Sequence, residues 1–291
     1  MRKTTIAPGI KPFPPVFKTK RVATNGASLY VRIGGKGPTV VLLHGYAETG
    51  DMWAPLAEVL VQDHTVIVPD LRGMGRSSRP PGGYDKKTQG EDIAGLLDAL
   101  KVGKIELVTH DIGNMVGYAF VAQHRDRVTR FALMDAPLPG IGPWDDLIRS
   151  HRVWHFSFYG PHAERLVKGR ERIYLDRFWS EFSSDPKKFN EALRKHYAKL
   201  YAAPGAMRAG FEQFKAFDQD AIDNKAFLAG GKLTMPVLAV GGEKSYGPMM
   251  ATVMRAAATT VTEAIVPDSG HWIMEENPAA AIKLITDFLG K

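Results

Sequence analysis

The stretch from Ile105 to Gln123 leaves the chain little freedom. Ile105-Glu106-Leu107-Val108-Thr109 is a short β-branched run of strand character, and Met115 to Gln123 reads as a helix. Only His110 to Asn114 lies between them, so the strand must pass into the helix through one tight turn. Such a turn holds its central residue in a strained backbone conformation and lifts that side chain above the sheet edge, provided the neighbours are small. The central residue here is Asp111, with Gly113 two places on and Thr109 where a glycine commonly stands. A serine nucleophile would require G-x-S-x-G, which occurs nowhere in the chain, so an ordinary serine esterase is not expected. The expected nucleophile is the Asp111 carboxylate.

The rest of the chain supplies the sheet that such a turn needs. Strand-like runs recur at 28–33, 38–43, 65–69, 128–134, 236–240 and 264–267, with helical stretches interspersed. This alternation implies a parallel sheet with right-handed crossovers. From about 141 to 232 the strand signal almost stops, and aromatic and charged residues recur at helical spacing in Ala163 to Phe182 and Pro186 to Tyr201, with Pro186 expected as a first helical residue. The expectation is an α/β fold with a mostly parallel central sheet flanked by helices and an inserted helical cap. Its core would comprise 20–140 and 233–291 and its cap 141–232, with 1–19 as an extended arm. A chain of 291 residues, 44% hydrophobic, can bury a core of that size.

Composition narrows the partners. The formal charge of +7 is spread along the chain without an aromatic-basic module, so nucleic acid is not expected. With no cysteine, disulfides and thiolate zinc sites are excluded, while the redox compartment stays open. No apolar run approaches the ~18 residues that span a bilayer. The first residues, with prolines at 8, 12, 14 and 15, lack the apolar segment of a signal peptide. Gly73-x-Gly75 is too short for a dinucleotide fingerprint. The expected partner is a small-molecule substrate, with no membrane, cofactor or metal. A homodimer stays open, and a cytoplasmic location is expected, export with a removed leader being the alternative.

An elbow nucleophile needs a base, an orienting acid and donors to an oxyanion. The expected base is His271, between the last strand and the last helix, in the chain order nucleophile, acid, histidine. Asp135 and Glu243 compete as the acid, each after a strand at the carboxyl edge of the sheet, with Asp135 preferred. The oxyanion donors would be the backbone N–H groups of Ile112 and Tyr46, and the Tyr46 side chain is free to touch substrate. An aspartate side chain ordinarily ionises near pH ~3.9, so at neutral pH it needs no base to attack an sp3 carbon. It would form an ester that His271-activated water then hydrolyses.

Together these residues resemble the epoxide hydrolase and dehalogenase branch of the α/β-hydrolase superfamily from about residue 20 onward. The matching pieces are His44-Gly45-Tyr46, Asp70-x-Arg72-Gly73-x-Gly75-x-Ser77, His110-Asp111-Ile112-Gly113, Asp135-Ala136-Pro137-x-Pro139 and Gly270-His271-Trp272. The closest likeness is to Cif-like epoxide hydrolases, whose elbow also reads H-D-I-G. That resemblance implies the α/β-hydrolase fold, an enzyme acting on an uncharged hydrophobic epoxide, and Asp135 as the relay acid. Many relatives carry the acid after a later strand, where this chain has Ser245. The segment Trp154-His155-Phe156-Ser157-Phe158 is similar to one that supplies a histidine donor to the epoxide oxygen, which implies that role for His155 and substrate contact for Trp154. The partner tyrosine of that family is replaced by Phe214, leaving His155 alone or a substitute such as Tyr174, Tyr197 or Tyr201. Haloalkane or haloacid dehalogenation is the alternative. Haloacetate dehalogenases, however, carry arginines where this chain has Ile112 and Met115. A non-catalytic ligand-binding member of the fold is the further alternative.

Overall fold

The computed structural model describes residues 10–290. Its eight strands form one sheet in the order β1-β2-β4-β3-β5-β6-β7-β8. The strands are β1 (Lys18–Thr24), β2 (Ala27–Gly34), β3 (Thr39–Leu43), β4 (Thr65–Pro69), β5 (Ile105–His110), β6 (Val128–Met134), β7 (Val237–Gly242) and β8 (Val261–Val266). From β4 to β8 neighbouring strands run parallel, and the hairpin β1–β2 joins the edge with β2 antiparallel to β4. The hairpin turns on Asn25 and Gly26, both at positive φ, the pairing that a two-residue turn between twisted strands requires.

Alternate residues of each central strand feed opposite apolar layers, as a period of two dictates. Val41, Leu43 and Leu107 pack with Ile93, Leu97, Val116 and Phe120 of α2 (Lys86–Ala99) and α3 (Ile112–Gln123). Val40, Leu42 and Val108 pack on the other face with Leu56, Leu60 and Ile285 of α1 (Ala54–Leu60) and α12 (Pro278–Leu289).

Between β6 and β7 the chain is helical: α4 (Trp144–Leu147), a 3-10 segment His151–Ser157, α5 (Pro161–Val167), α6 (Glu171–Glu181), α7 (Glu191–Tyr201), α8 (Ala206–Lys215) and α9 (Phe217–Ala229). After β7 follow α10 (Met249–Ala257) and, beyond β8, α11 (Ile273–Glu276). Buried polar contacts fix this helical block to the sheet layer. Lys86 Nζ donates to Asp220 Oδ2 at 2.8 Å, and Trp179 Nε1 donates to the Ala47 carbonyl at 3.2 Å. His196 Nε2 meets Asp51 Oδ2 at 2.8 Å.

Local details depart from the sequence expectations. Lys18 and Thr19 pair in β1 instead of belonging to an arm, and the expected arm at 1–9 lies outside the described residues. The stretch of helical spacing at 163–182 divides into α5 and α6 around Gly169, whose φ of 76° an L side chain resists. Pro186 sits in a turn, not at a helix start. α7 instead begins after Asn190, whose side chain accepts from the N–H groups of Ala192 and Leu193. β8 starts at Val261, ahead of its expected start, because the sheet edge recruits Val261-Thr262-Glu263 against β7. Among the described residues no helix is long and apolar enough to cross a membrane.

Candidate active site

β5 ends at His110 and α3 begins at Ile112, so Asp111 alone makes the turn, at φ 53° and ψ −124°. Holding a non-glycine residue there costs about 1–3 kcal/mol, so the neighbours must dictate it. Thr109 Oγ1 donates to Asn114 Oδ1 at 2.7 Å, and Asn114 Nδ2 donates to the Met134 carbonyl at 2.8 Å. Thr109 at the first small position thus ties strand, turn and helix together. Glycine is obligatory at two places nearby. A Cβ on Gly113 would strike the carbonyls of Leu43 and His44, and one on Gly45 would strike the Asp111 side chain.

The two oxygens of Asp111 have different surroundings. Oδ1 accepts the Tyr46 backbone N–H at 2.6 Å, whereas Oδ2 lies 3.5 Å from His271 Nε2. His271 Nδ1 is 3.0 Å from Asp135 Oδ2, and Asp135 is fully buried, its Oδ1 accepting the N–H groups of Gly242 at 2.8 Å and Tyr246 at 3.1 Å. Glu243 stands apart, accepting from Asp268 N–H at 3.0 Å and from Lys244 at 2.9 Å. Of the two acids, the structure brings Asp135 to His271. The His271 N–H donates to the Phe182 carbonyl at 2.8 Å, so the helical block also positions the histidine loop.

Charge follows from this geometry. Burial alone would lower the His271 pKa, but contacts with Asp111 and Asp135 raise it to about 10. Burial alone would raise Asp111, but the His271 hydrogen bond and charge hold it well below the usual carboxylate range. At neutral pH the resting pair is therefore a carboxylate beside an imidazolium.

Across the cavity stands His155, buried in the 3-10 segment. Arg177 Nη1 faces its Nδ1 at 3.5 Å. A guanidinium can only donate, so Nδ1 accepts and the ring proton sits on Nε2. Burial, then the Arg177 charge, lowers His155 to about 3, keeping it neutral. The Phe214 ring stands edge-on to His155 at 5.3 Å and to Tyr46 at 4.7 Å.

These groups line a cavity of about 80 Å³ that also includes Ile112, Met115 and Tyr246. Trp154 does not line it: the turn of the 3-10 segment aims its ring outward, where it is 43% exposed beneath Arg177. Nor do Tyr174, Tyr197 or Tyr201 line it. Tyr201 donates to the Glu48 carbonyl at 3.4 Å, and Tyr197 is buried against Phe189. Sequence reasoning missed Tyr246. Its signal was its place just past β7, at the carboxyl edge where open α/β sheets bind ligands.

A second missed feature lies behind the histidine. His110 Nε2 lies 2.9 Å from the His271 carbonyl, which can only accept, so that nitrogen carries the proton. His110 Nδ1 then faces Glu48 Oε2 at 3.4 Å. Burial lowers His110 to about 4 and pushes the neighbouring carboxyls of Glu48 and Glu275 up. No sequence spacing signals this cluster, because Glu48 lies in the loop after β3, His110 at the end of β5 and Glu275 in α11. No group of three or more His, Asp or Glu side chains suited to a metal ion occurs among the described residues.

Residues 38–278 match the family described as alpha/beta hydrolase fold. A soluble epoxide hydrolase of Corynebacterium sp. (strain C12) is 30% identical over 272 residues, covering 91% of this chain and 94% of that protein. A fluoroacetate dehalogenase of Burkholderia sp is 25% identical over 296 residues, covering 94% of each. The crystal structure of the Cif epoxide hydrolase from Acinetobacter nosocomialis superposes with a TM-score of 0.87 at 26% identity, over 96% of this chain and 90% of that one. With the sheet order, the elbow and these likenesses together, the chain belongs to the alpha/beta hydrolase fold family and is a hydrolase of that family.

Proposed function

We propose that the protein is an epoxide hydrolase acting on uncharged hydrophobic epoxides through an ester on Asp111. The observation that carries this reading is the asymmetry of the Asp111 carboxylate, one oxygen held by the Tyr46 N–H and the other turned toward His271. Oδ2 attacks an epoxide carbon, its lone pair forms the ester bond, and the carbon–oxygen bond of the ring breaks toward the oxygen. The His155 Nε2–H donates to that oxygen as its charge grows. Esterification removes the Asp111 charge that holds the His271 proton, so His271 releases one proton as the alkoxide takes one up. Neutral His271 then accepts a proton from water attacking the Asp111 carbonyl carbon. The Tyr46 and Ile112 N–H groups stabilise the resulting oxyanion, each such donor being worth ~3–4 kcal/mol. Collapse releases a diol and restores the ion pair, and Asp135 orients the ring throughout. In this reading residues 141–232 act as a cap that excludes water.

The lining weighs against haloacids. Ile112 and Met115 face the cavity with apolar side chains and offer a substrate carboxylate no charge-assisted donor.

The test is to replace His271→Gln, which stalls hydrolysis, and to expose the protein separately to styrene oxide and to fluoroacetate before measuring its intact mass. An adduct of the whole epoxide mapped to Asp111 is the expected result. A halide-free carboxymethyl adduct would replace this reading with dehalogenation, and tight binding without either adduct would replace it with ligand sensing.

A further inference from the structure

The cavity at Asp111 is small, and a larger one adjoins it. The space around the reacting carboxylate is about 80 Å³, whereas a recess of about 260 Å³ opens between α4 with its preceding loop and α10. Pro137 and Tyr246 line both, so they form the common wall. Beyond that wall the recess is lined by Ile141, Pro143, Trp144, Leu147, Met249 and Val253, all apolar. Its one charged lining residue, Asp146, sits at the exposed rim and is paired with Arg149 at 3.5 Å. The Tyr246 backbone N–H donates to Asp135 Oδ1 at 3.1 Å, and its ring is partly buried against the apolar core. The next residue, Gly247, has a φ of 47°.

We infer that this recess is the subsite for the apolar tail of the substrate, with Pro137 and the Tyr246 ring at the boundary between reacting carbons and tail. The inference rests on the epoxide reading and adds a substrate class to it: terminal epoxides bearing an uncharged alkyl chain longer than the reaction cavity can hold. Two features on either side of the wall support one continuous site. The near side supplies the polar groups and little room, and the far side supplies room and no buried polar group to satisfy. A charged tail is disfavoured, because nothing inside the recess would pair with it.

The experiment compares kcat/KM for 1,2-epoxybutane and 1,2-epoxydodecane in the wild type, in Met249→Trp, which fills the recess from its exposed side, and in Val253→Ala, which enlarges it. Each methylene entering a dry apolar site raises kcat/KM by about three- to fourfold, so the wild type should prefer the longer epoxide by at least about thirtyfold. Met249→Trp should cut that preference about tenfold or more, with the short epoxide changed by less than about twofold, and Val253→Ala should keep or widen it. Equal effects on both epoxides, or a long-to-short ratio that neither variant moves, would overturn the subsite. Calorimetric binding of 1,2-dodecanediol to the wild type and Met249→Trp reads the recess without turnover. If the wild type binds the diol and the tryptophan variant does not, while neither epoxide reacts, the subsite stands and the epoxide reading falls. If the diol binds both proteins equally, the subsite falls even where epoxides react.

Discussion

Asp111→Asn places an uncharged, nearly isosteric group where the proposed mechanism forms an ester, and His271 should report the change. In the wild type His271 lies between two carboxylates, Asp111 at 3.5 Å and Asp135 at 3.0 Å, and its pKa is raised to about 10. Removing a unit charge at 3.5 Å in a medium of effective dielectric about 20 withdraws about 5 kcal/mol from the imidazolium, or roughly three and a half pH units. His271 in the variant should therefore titrate at about 6 to 7, within reach of a base working at neutral pH. Carbon-13 labelling of the histidine rings and titration by NMR gives the value directly, with His271→Gln identifying the signal. A variant in which His271 still titrates within one pH unit of the wild type would refute the argument that esterification itself converts the acid into the base. The stability consequence has a fixed sign. Because the folded pKa is raised, the ion pair's contribution is fully present below the ordinary histidine pKa of ~6.5 and is lost as pH rises through about 10. The Asp111→Asn variant should lack that alkaline loss in melts taken across pH 7 to 10.5.

Three further outcomes follow from the same geometry. Phe214→Tyr puts a hydroxyl on a ring standing 5.3 Å from His155, and should speed ester formation in single turnovers by about tenfold while leaving ester hydrolysis unchanged; a slower first step would mean that the ring serves packing alone. Arg177→Met removes the donor facing His155 Nδ1 and one of the three causes of its lowered pKa, the others being burial and the His271 charge. His155 should therefore titrate above about 3, toward the ordinary histidine range, in carbon-13 NMR of the labelled ring, and an unmoved titration would show that Arg177 does not hold the ring neutral. Lys86→Met strands the buried Asp220 carboxylate that Lys86 contacts at 2.8 Å, and should cost about 3–5 kcal/mol in urea unfolding. A loss below 1 kcal/mol would mean that Asp220 takes up a proton instead of remaining charged.

What the sequence determined by itself was local and periodic. Alternating β-branched runs specified the parallel strands from Thr39 onward, and the immediate switch from strand to helix placed Asp111 at the turn. The order of Asp111, Asp135 and His271 along the chain anticipated three groups that the fold brings within 3.5 Å of their neighbours. The Asn25-Gly26 turn is of the same local kind, since its chemistry is contained in two residues. Other features depend on which segments meet in space. Asp135 faces His271 and Glu243 does not, because β6 and β7 end at different points beneath the histidine loop. Trp154 and His155 are neighbours in sequence, yet the 3-10 turn sends one outward and one into the cavity. The proton on His155 Nε2 was decided by Arg177, a full helix away. Tyr246, the Glu48 and His110 contact behind the base, and the recess beyond Pro137 arise where elements distant in sequence converge. A linear pattern encodes the period of an element and the chemistry of a turn, but burial, distance and hydrogen-bond direction exist only once the elements have packed.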